Sequence, residues 1–219
     1  MQRDLEVKLP IPFSGVAVGV NSPILAVLAK VKVTVKSGRP KVDISSLFKE
    51  ATGFECKVDL DVEGDIPFSS YYVLVSKLLV DSAIEKCDIP INEDEKFETL
   101  RLIDDALFDS RLIRALRAAQ RLNVSLLYRD NEEPVPVDFA EIRMRKIASY
   151  PIEVRSDVEN SVVHTIGLIP VLFSQGITKD LVEQENGIWH SLYSIHVPYI
   201  NDWKVIWDLN WATIIEFSS

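Results

Sequence analysis

Apolar and polar residues alternate along much of the first third of the chain, with the period of a strand that has one buried face. The alternation covers residues 5–9, 25–35 and 54–62, and it is strictest in the last of these segments. A short helix ended by Gly53 is predicted between the second and third segments. Because each strand has one apolar and one polar side, we expect an antiparallel or mixed sheet with one wet face.

Apolar residues at helical spacing dominate the middle of the chain. A long helix is predicted from Ser69 or Ser70 to about Cys87, and its broad apolar arc predicts deep burial. Two amphipathic helices are predicted over residues 95–107 and 109–122.

Strand and helix signals are mixed in the remainder. A strand is predicted over residues 124–128, a helix over residues 139–149, and a short helix over residues 178–185. Residues 162–173 are apolar and rich in β-formers. Three strands then form a predicted meander, over residues 189–200, 203–209 and 211–217.

These elements together predict an α+β fold, with a mixed or mainly antiparallel sheet and helices packed on one side. Residues 1–90 are expected to form a β-rich N-terminal part with a buried helix. Residues 91–219 are expected to form a helical pair followed by a tryptophan-rich β part. Whether the two parts pack as one compact unit stays open at this point.

The composition is that of an ordinary globular protein that is acidic. The chain has 219 residues, of which 47% are hydrophobic and 26% charged, and a formal net charge of −9. An acidic surface repels phosphate backbones and anionic lipid headgroups, so we expect neither nucleic acid nor a membrane as partner. No long uncharged apolar run and no signal-peptide core occurs, so a cytoplasmic location is expected.

Metal and catalytic motifs are incomplete in this sequence. His190 and His196, six residues apart, would share a face of one strand, with His164 or Glu185 as a conceivable third ligand. No compact metal, nucleophile-elbow or phosphate-loop pattern accompanies them. We therefore expect no metal and no cofactor, and the catalytic residues of any enzyme activity stay unknown.

Two cysteines, Cys56 and Cys87, are the whole thiol content of the chain. Two isolated cysteines indicate neither a disulfide framework nor a zinc site. Because free cysteine behaves as a small buried hydrophobe, both are expected to pack in the core.

Four arginines lie on one arc of the helix predicted over residues 109–122, and these are Arg111, Arg114, Arg117 and Arg121. Such a stripe can bind phosphate groups or an acidic partner. The alternative is a solvated face paired with nearby acids such as Asp104, Asp105 or Asp109.

Large aromatic residues are concentrated near the end of the chain, and they include Tyr199, Trp203, Trp207 and Trp211. One interpretation is the core of a sheet. The other is an apolar interface for a protein partner or a second copy of the chain, because tryptophan and tyrosine dominate interface energetics.

The segment around Pro67, Ser69 and Ser70 resembles the second motif of the GHMP small-molecule kinases. An alternating strand leads through a proline and a Ser-Ser pair into a long apolar helix. In that family the loop and the helix N-terminus hold the nucleotide phosphates, so the resemblance implies a degenerate phosphate loop at these residues. The physical basis is that exposed backbone N–H groups and the positive helix end attract anions.

The segment departs from the family pattern because the loop glycines are missing and Phe68, Tyr71 and Tyr72 take their place. Bulky side chains there oppose close approach of a phosphate to the backbone. We therefore predict a non-catalytic binding or assembly protein. The alternatives are a degenerate GHMP-like protein that retains a small-ligand cleft, and an enzyme with residues scattered in sequence.

Overall fold

The structure is a computed structural model, and it describes residues 2–16, 21–153, 167–198 and 202–218. Within these ranges the chain forms eight strands and six helices, which confirms the predicted α+β class with a mixed sheet. The strands are β1 (Gln2–Ser14), β2 (Ile24–Lys36), β3 (Asp61–Glu63), β4 (Leu126–Tyr128), β5 (Val135–Pro136), β6 (Ile142–Pro151), β7 (Trp203–Asp208) and β8 (Trp211–Ser218). The helices are α1 (Ser45–Thr52), α2 (Phe68–Cys87), α3 (Glu93–Leu107), α4 (Arg111–Leu122), α5 (Ile169–Phe173) and α6 (Lys179–Tyr193).

One sheet contains all eight strands, in the order β5-β4-β2-β6-β8-β7, with β1 and β3 also paired to β2. The only parallel pair among the described strands is β2 with β6. The longest pair is the β1–β2 hairpin, which runs from Gln2 opposite Lys36 to Ser14 opposite Leu25. Strand β2 therefore joins the N-terminal elements of the sheet to β6 and β8 from the second half of the chain.

The β1–β2 register separates an apolar face from a charged one. Leu9 pairs with Ala29, and both are buried on the face that α2 and α4 cover. Lys8 pairs with Lys30 on the opposite face, where both ammonium groups contact Glu141. Because side chains alternate along a strand, this register explains how one strand pair serves both the core and the solvent.

Helix α2 is the central helix of the core. Of its 20 residues, eleven are buried, which confirms the deep burial predicted from its broad apolar arc. It ends at Asp88, whose φ of 50° is left-handed. Two other predicted helix ends are also confirmed by left-handed residues, Gly53 after α1 and Asn123 after α4.

The strand predicted over residues 54–62 is wrong for most of its length. Only residues 61–63 pair with β2, as β3. Val58 and Leu60 are half-buried while Lys57 is exposed, so the segment keeps the alternation of burial without belonging to the sheet. The segment lies against α2 instead, and an apolar side facing a helix produces the same alternation as an apolar side facing a core.

Two further element predictions are wrong. The helix predicted over residues 139–149 is strand β6, in which Ile142 and Met144 face the core. The strand predicted over residues 189–200 is not formed: residues 189–193 are the end of α6, which is capped by Ser194, and residues 194–198 belong to no helix or strand. Residues 162–166 of the predicted apolar segment lie outside the described residues.

The two cysteines form a disulfide, Cys56–Cys87, with their Cα atoms 6.2 Å apart. The prediction that both are free core residues is therefore wrong, and Cys87 is exposed at the end of α2. Disulfides are uncommon in reducing cytosol, so this bond does not support the predicted cytoplasmic location. Within the described ranges, no helix combines the length and hydropathy needed to cross a bilayer.

Candidate functional site

The N-terminus of α2 is bound by a carboxylate from the same chain. The backbone N–H groups of Phe68 and Ser69 donate to the two carboxylate oxygens of Asp208, at 2.7 and 2.8 Å. Asp208 is the last residue of β7 and is buried. The first turn of a helix has unsatisfied N–H groups and a positive dipole end, so a carboxylate is the side chain that best matches it.

Neighbouring polar groups hold this junction in place. The hydroxyl of Thr213 donates to Asp208 at 3.2 Å, and the hydroxyl of Ser70 donates to the carbonyl of Pro10 at 2.9 Å. The hydroxyl of Ser69 is buried and has no hydrogen-bond partner among the described residues. Strand β1, strand β7 and helix α2 are thus tied together where the sequence predicts a phosphate loop.

The three residues of that predicted loop, Pro67, Ser69 and Ser70, lie together at the start of α2, and all three are buried. The N–H of Ser69 already has its acceptor in Asp208. A phosphate at this position would have to displace a buried carboxylate of the same charge sign. Sequence reasoning located the helix start and missed Asp208, because nothing local marks a partner so distant in the chain.

Two tyrosines after the serines make buried contacts with acids. The Tyr71 hydroxyl donates to Asp61 at 2.7 Å, and the Tyr72 hydroxyl donates to Asp104 at 2.7 Å. Burial raises the pKa of both phenols well above the usual value of 10.0, and the adjacent carboxylates raise it further.

Arg117, the third arginine of the predicted stripe, belongs to the interior. Its guanidinium forms a bidentate pair with Asp104, at 2.8 and 2.9 Å, and donates to the Ser76 hydroxyl at 2.7 Å. Both charged side chains are nearly inaccessible to solvent. This pair links α2, α3 and α4, so Arg117 is not presented to a ligand at the surface.

The other three arginines of the stripe have separate surroundings. Arg111 is buried and donates to the carbonyl of Val16 at 3.1 Å. Arg114 donates to Asp130 through Nε and Nη2, at 3.1 Å each. Arg121 is exposed and pairs with Asp94 at 2.9 Å. The structure therefore does not bring the four guanidinium groups together on one open surface.

A second buried ion pair lies beside β1. The Lys204 ammonium contacts the Glu185 carboxylate, which also accepts from the Ser14 hydroxyl at 3.0 Å. The Lys204 nitrogen lies 5.3 Å and 5.1 Å from the ring centres of Phe13 and Phe173. Burial raises the pKa of Glu185 and lowers the pKa of Lys204, because it disfavours the charged form of each.

Sequence reasoning considered Glu185 only as a metal ligand and did not identify this pair. A usable signal was present, since Lys204 lies on the same side of β7 as the apolar Ile206. The pair is closed to solvent, so it has no access for a ligand.

The predicted histidine pair is close in space, and the tryptophans of the predicted interface differ from one another in burial. The His190 and His196 rings are 5.6 Å apart, and no group of three metal-ligating side chains occurs among the described residues. Trp207 packs tilted against Trp189 in the core, while Trp211 is 39% exposed. His164 and Tyr199 lie outside the described residues.

An open cleft of about 300 Å³ lies between α1, α2 and the segment 56–59. Its apolar lining consists of Ile44, Phe48, Val58, Leu79, Val80 and Ala83. Its charged rim consists of Arg39, Asp43, Lys57 and Asp59. The volume lies at the lower end of the range of small-molecule sites, and a mostly apolar floor with a few polar groups is typical of them.

The disulfide forms part of the cleft wall. Cys56 lines the cleft and is bonded to Cys87 at the end of α2. The ammonium of Lys86 donates to the carbonyl of Lys57 at 2.9 Å, which adds a second link between α2 and this wall. The wall is thus attached to α2 by side chains and not by sheet pairing.

Comparisons with known proteins identify a fold and no family. No family model matches the chain, and no curated protein matches it. A solved structure of phosphomevalonate kinase from Streptococcus pneumoniae, in complex with phosphomevalonate and AMPPNP, is similar with a TM-score of 0.50. The match has 11% sequence identity and covers 100% of this chain and 93% of the kinase chain. The chain is therefore similar in fold to a GHMP-family kinase.

Proposed function

We propose that this protein is a non-phosphorylating binding protein on a GHMP-kinase-like fold, and that it uses the cleft between α1 and α2 for a small molecule. The observation that supports the proposal most strongly is the bond from the first two amides of α2 to Asp208. In the kinase family that the sequence resembles, the corresponding helix end holds nucleotide phosphates. In this chain a side chain of the protein takes that role.

Displacing Asp208 is energetically unfavourable. The carboxylate is buried, and an ionised group left without its partners in the interior costs several kcal/mol. The loop glycines are also missing, and a bulky residue such as Phe68 in their place opposes close approach of a phosphate to the backbone. Nucleotide binding at this helix end is therefore disfavoured by both charge and shape.

The cleft is well separated from that helix end. Its α2 residues begin at Leu79, eleven positions after Phe68, which corresponds to about 16 Å along a helix. A molecule in the cleft would therefore not depend on the α2 N-terminus. Loss of phosphate binding at one end of α2 is compatible with ligand binding near the other.

A second candidate function is assembly through the end of β6 and β8. Tyr150 is 48% exposed and Trp211 is 39% exposed, and both lie where the β6–β8 pair ends, on opposite faces of the sheet. Exposed aromatic side chains at a strand end are typical of a contact with a protein partner or a second copy of the chain. Light scattering after size exclusion would test self-association, with Trp211→Ser as the variant expected to shift any dimer to monomer.

Calorimetry with Mg-AMPPNP tests the leading proposal. The protein and its Asp208→Asn variant are titrated, with a screen of small organic molecules run in parallel. We expect no heat of binding from the nucleotide with the unaltered protein and saturable binding of at least one organic molecule. Saturable nucleotide binding that Asp208→Asn changes would contradict the proposal.

A further inference from the structure

The geometry points to a specific class of ligand for the cleft between α1 and α2: a molecule with a short apolar body and one anionic head group, a carboxylate or a phosphate. This inference rests on the proposed function, because it assigns a ligand to the same cleft. It does not depend on the absence of nucleotide binding.

The floor of the cleft selects an apolar body. Phe48, Val80 and Ala83 are all buried and belong to the hydrophobic core, so the cleft opens directly onto core side chains. Nothing on this floor can hydrogen-bond to a polar ligand group, and burying such a group there would be unfavourable. A volume of about 300 Å³ corresponds to roughly ten water-sized groups, which limits the body to a short chain or a single ring system.

The rim favours an anion at the mouth. The side-chain ammonium of Lys57 has no hydrogen bond or ion pair with any described residue. Arg39 is 87% exposed, and its nearest acid is Asp43 at 3.9 Å, the outer limit for an ion pair. Both cations are thus available to a ligand that enters from solvent.

The two acids on the rim differ in availability. The Asp43 carboxylate accepts from the N–H of Ser45 at 2.9 Å, and this bond, with Arg39 nearby, lowers the pKa of Asp43. The Asp43 carboxylate therefore already has a hydrogen-bond donor in Ser45, the first residue of α1. Asp59 is the one rim acid without such a bond among the described residues, so two accessible cations face one accessible acid.

The position of Lys57 depends on the disulfide. Lys57 directly follows Cys56, and residues 54–60 have no sheet pairing, so this wall is held against α2 by the bond to Cys87 and by the exposed hydrogen bond from the Lys86 ammonium to the Lys57 carbonyl. The salt bridge between Lys49 and Glu55, at 2.6 Å, is exposed and adds little to the attachment. Reduction of the disulfide should therefore move the rim cation and weaken ligand binding.

The test uses four probes with the same eight-carbon body: octanoate, octyl phosphate, octanol and octylamine. Each is titrated below its micelle concentration and followed by calorimetry and by NMR. We expect octanoate and octyl phosphate to bind about tenfold more tightly than octanol and octylamine, the usual effect of one charge-assisted contact. The ratio of the dissociation constants of octanoate and octyl phosphate shows which head group is preferred. Equal affinities across the four probes, or no binding of any of them, would overturn the inference.

Variants locate the binding. Lys57→Glu should weaken both anions about tenfold and leave octanol unchanged, whereas Arg3→Glu, an exposed cation on β1, should change neither. Ala83→Phe should weaken all probes by filling the floor, and circular dichroism checks that this variant is folded. Anion binding that Lys57→Glu does not alter would overturn the inference and leave the proposed function standing. Nucleotide binding at the α2 amides would instead contradict the proposed function.

Discussion

The carboxylate of Asp208 accepts a hydrogen bond from the backbone N–H of Ser69 at 2.8 Å, although 139 residues separate them in the chain. This bond places an internal anion at the helix end where the sequence resemblance implies a nucleotide phosphate. It also joins strand β7, near the end of the chain, to the central helix of the core. The bond is therefore expected to matter for stability as well as for function.

Replacing Asp208 tests the structural part of this claim. Asp208→Ala should lower the free energy of unfolding by about 2–4 kcal/mol, because it removes the helix cap and leaves two amides without acceptors. Asp208→Asn keeps one acceptor oxygen and should cost less. Urea denaturation measures both, with the exposed Asp65→Ala as control. A loss below about 0.5 kcal/mol for Asp208→Ala, the size of an ordinary surface substitution, would contradict the account.

Removing one partner of the buried Arg117–Asp104 ion pair should destabilise the protein more than removing both partners. Arg117→Leu alone should cost about 3–5 kcal/mol, because it strands a buried carboxylate. The double variant with Asp104→Leu should recover much of that loss, since no unpaired charge remains. Arg121→Ala, which breaks an exposed pair, should cost under about 1 kcal/mol. Equal losses of unfolding free energy for Arg117→Leu and Arg121→Ala would contradict the burial of Arg117.

Alkaline pH should destabilise the protein through its buried phenols. The pKa of Tyr72 is raised above 10.0 in the folded chain, so its stabilising contribution is complete below that pH and is lost as the pH rises further. Tyrosinate absorbance at 295 nm should therefore rise together with unfolding for this residue. Tyr72→Phe should flatten the fall of stability above pH 10 compared with the unaltered protein. An unchanged slope would contradict this assignment.

The Cys56–Cys87 bond closes a segment of 31 residues. Loop-closure entropy predicts that Cys56→Ala with Cys87→Ala lowers the free energy of unfolding by about 3–4 kcal/mol. Dithiothreitol should have the same effect on the unaltered protein and none on the double variant. Thiol titration in denaturant gives an independent check, because the oxidised protein should show no free thiol. Two reactive thiols without reductant would contradict the disulfide.

Local sequence patterns were sufficient to predict those helices and strands whose apolar residues repeat with one period. The strand at residues 5–9 within β1, strand β2 and helix α2 were predicted because their apolar residues repeat with a single clear spacing, whereas the pairing of β1 with β2 was not. Strand β6 was misassigned as a helix, and a register shift between Lys146 and Ala148 breaks its alternation in the middle. The second half of α6 was misassigned as a strand because its aromatic residues favour strands when read alone.

The candidate sites were predictable only in part, for a topological reason. The start of α2 was located from Pro67 and the serines, because a helix start is a local feature. The hydrogen-bond partner Asp208 and the disulfide partner of Cys56 were not predicted, since those contacts form only once distant segments are packed. The cleft is likewise made by three segments whose proximity no local pattern records.

The most direct test of the central claim is an amide NMR titration with Mg-AMPPNP. The signals to follow are the backbone N–H groups of Phe68 and Ser69, which Asp208 occupies in the structure. We expect that neither signal shifts at nucleotide concentrations that saturate ordinary kinases. Saturable shifts of both signals, with the Asp208 carboxylate released, would contradict it.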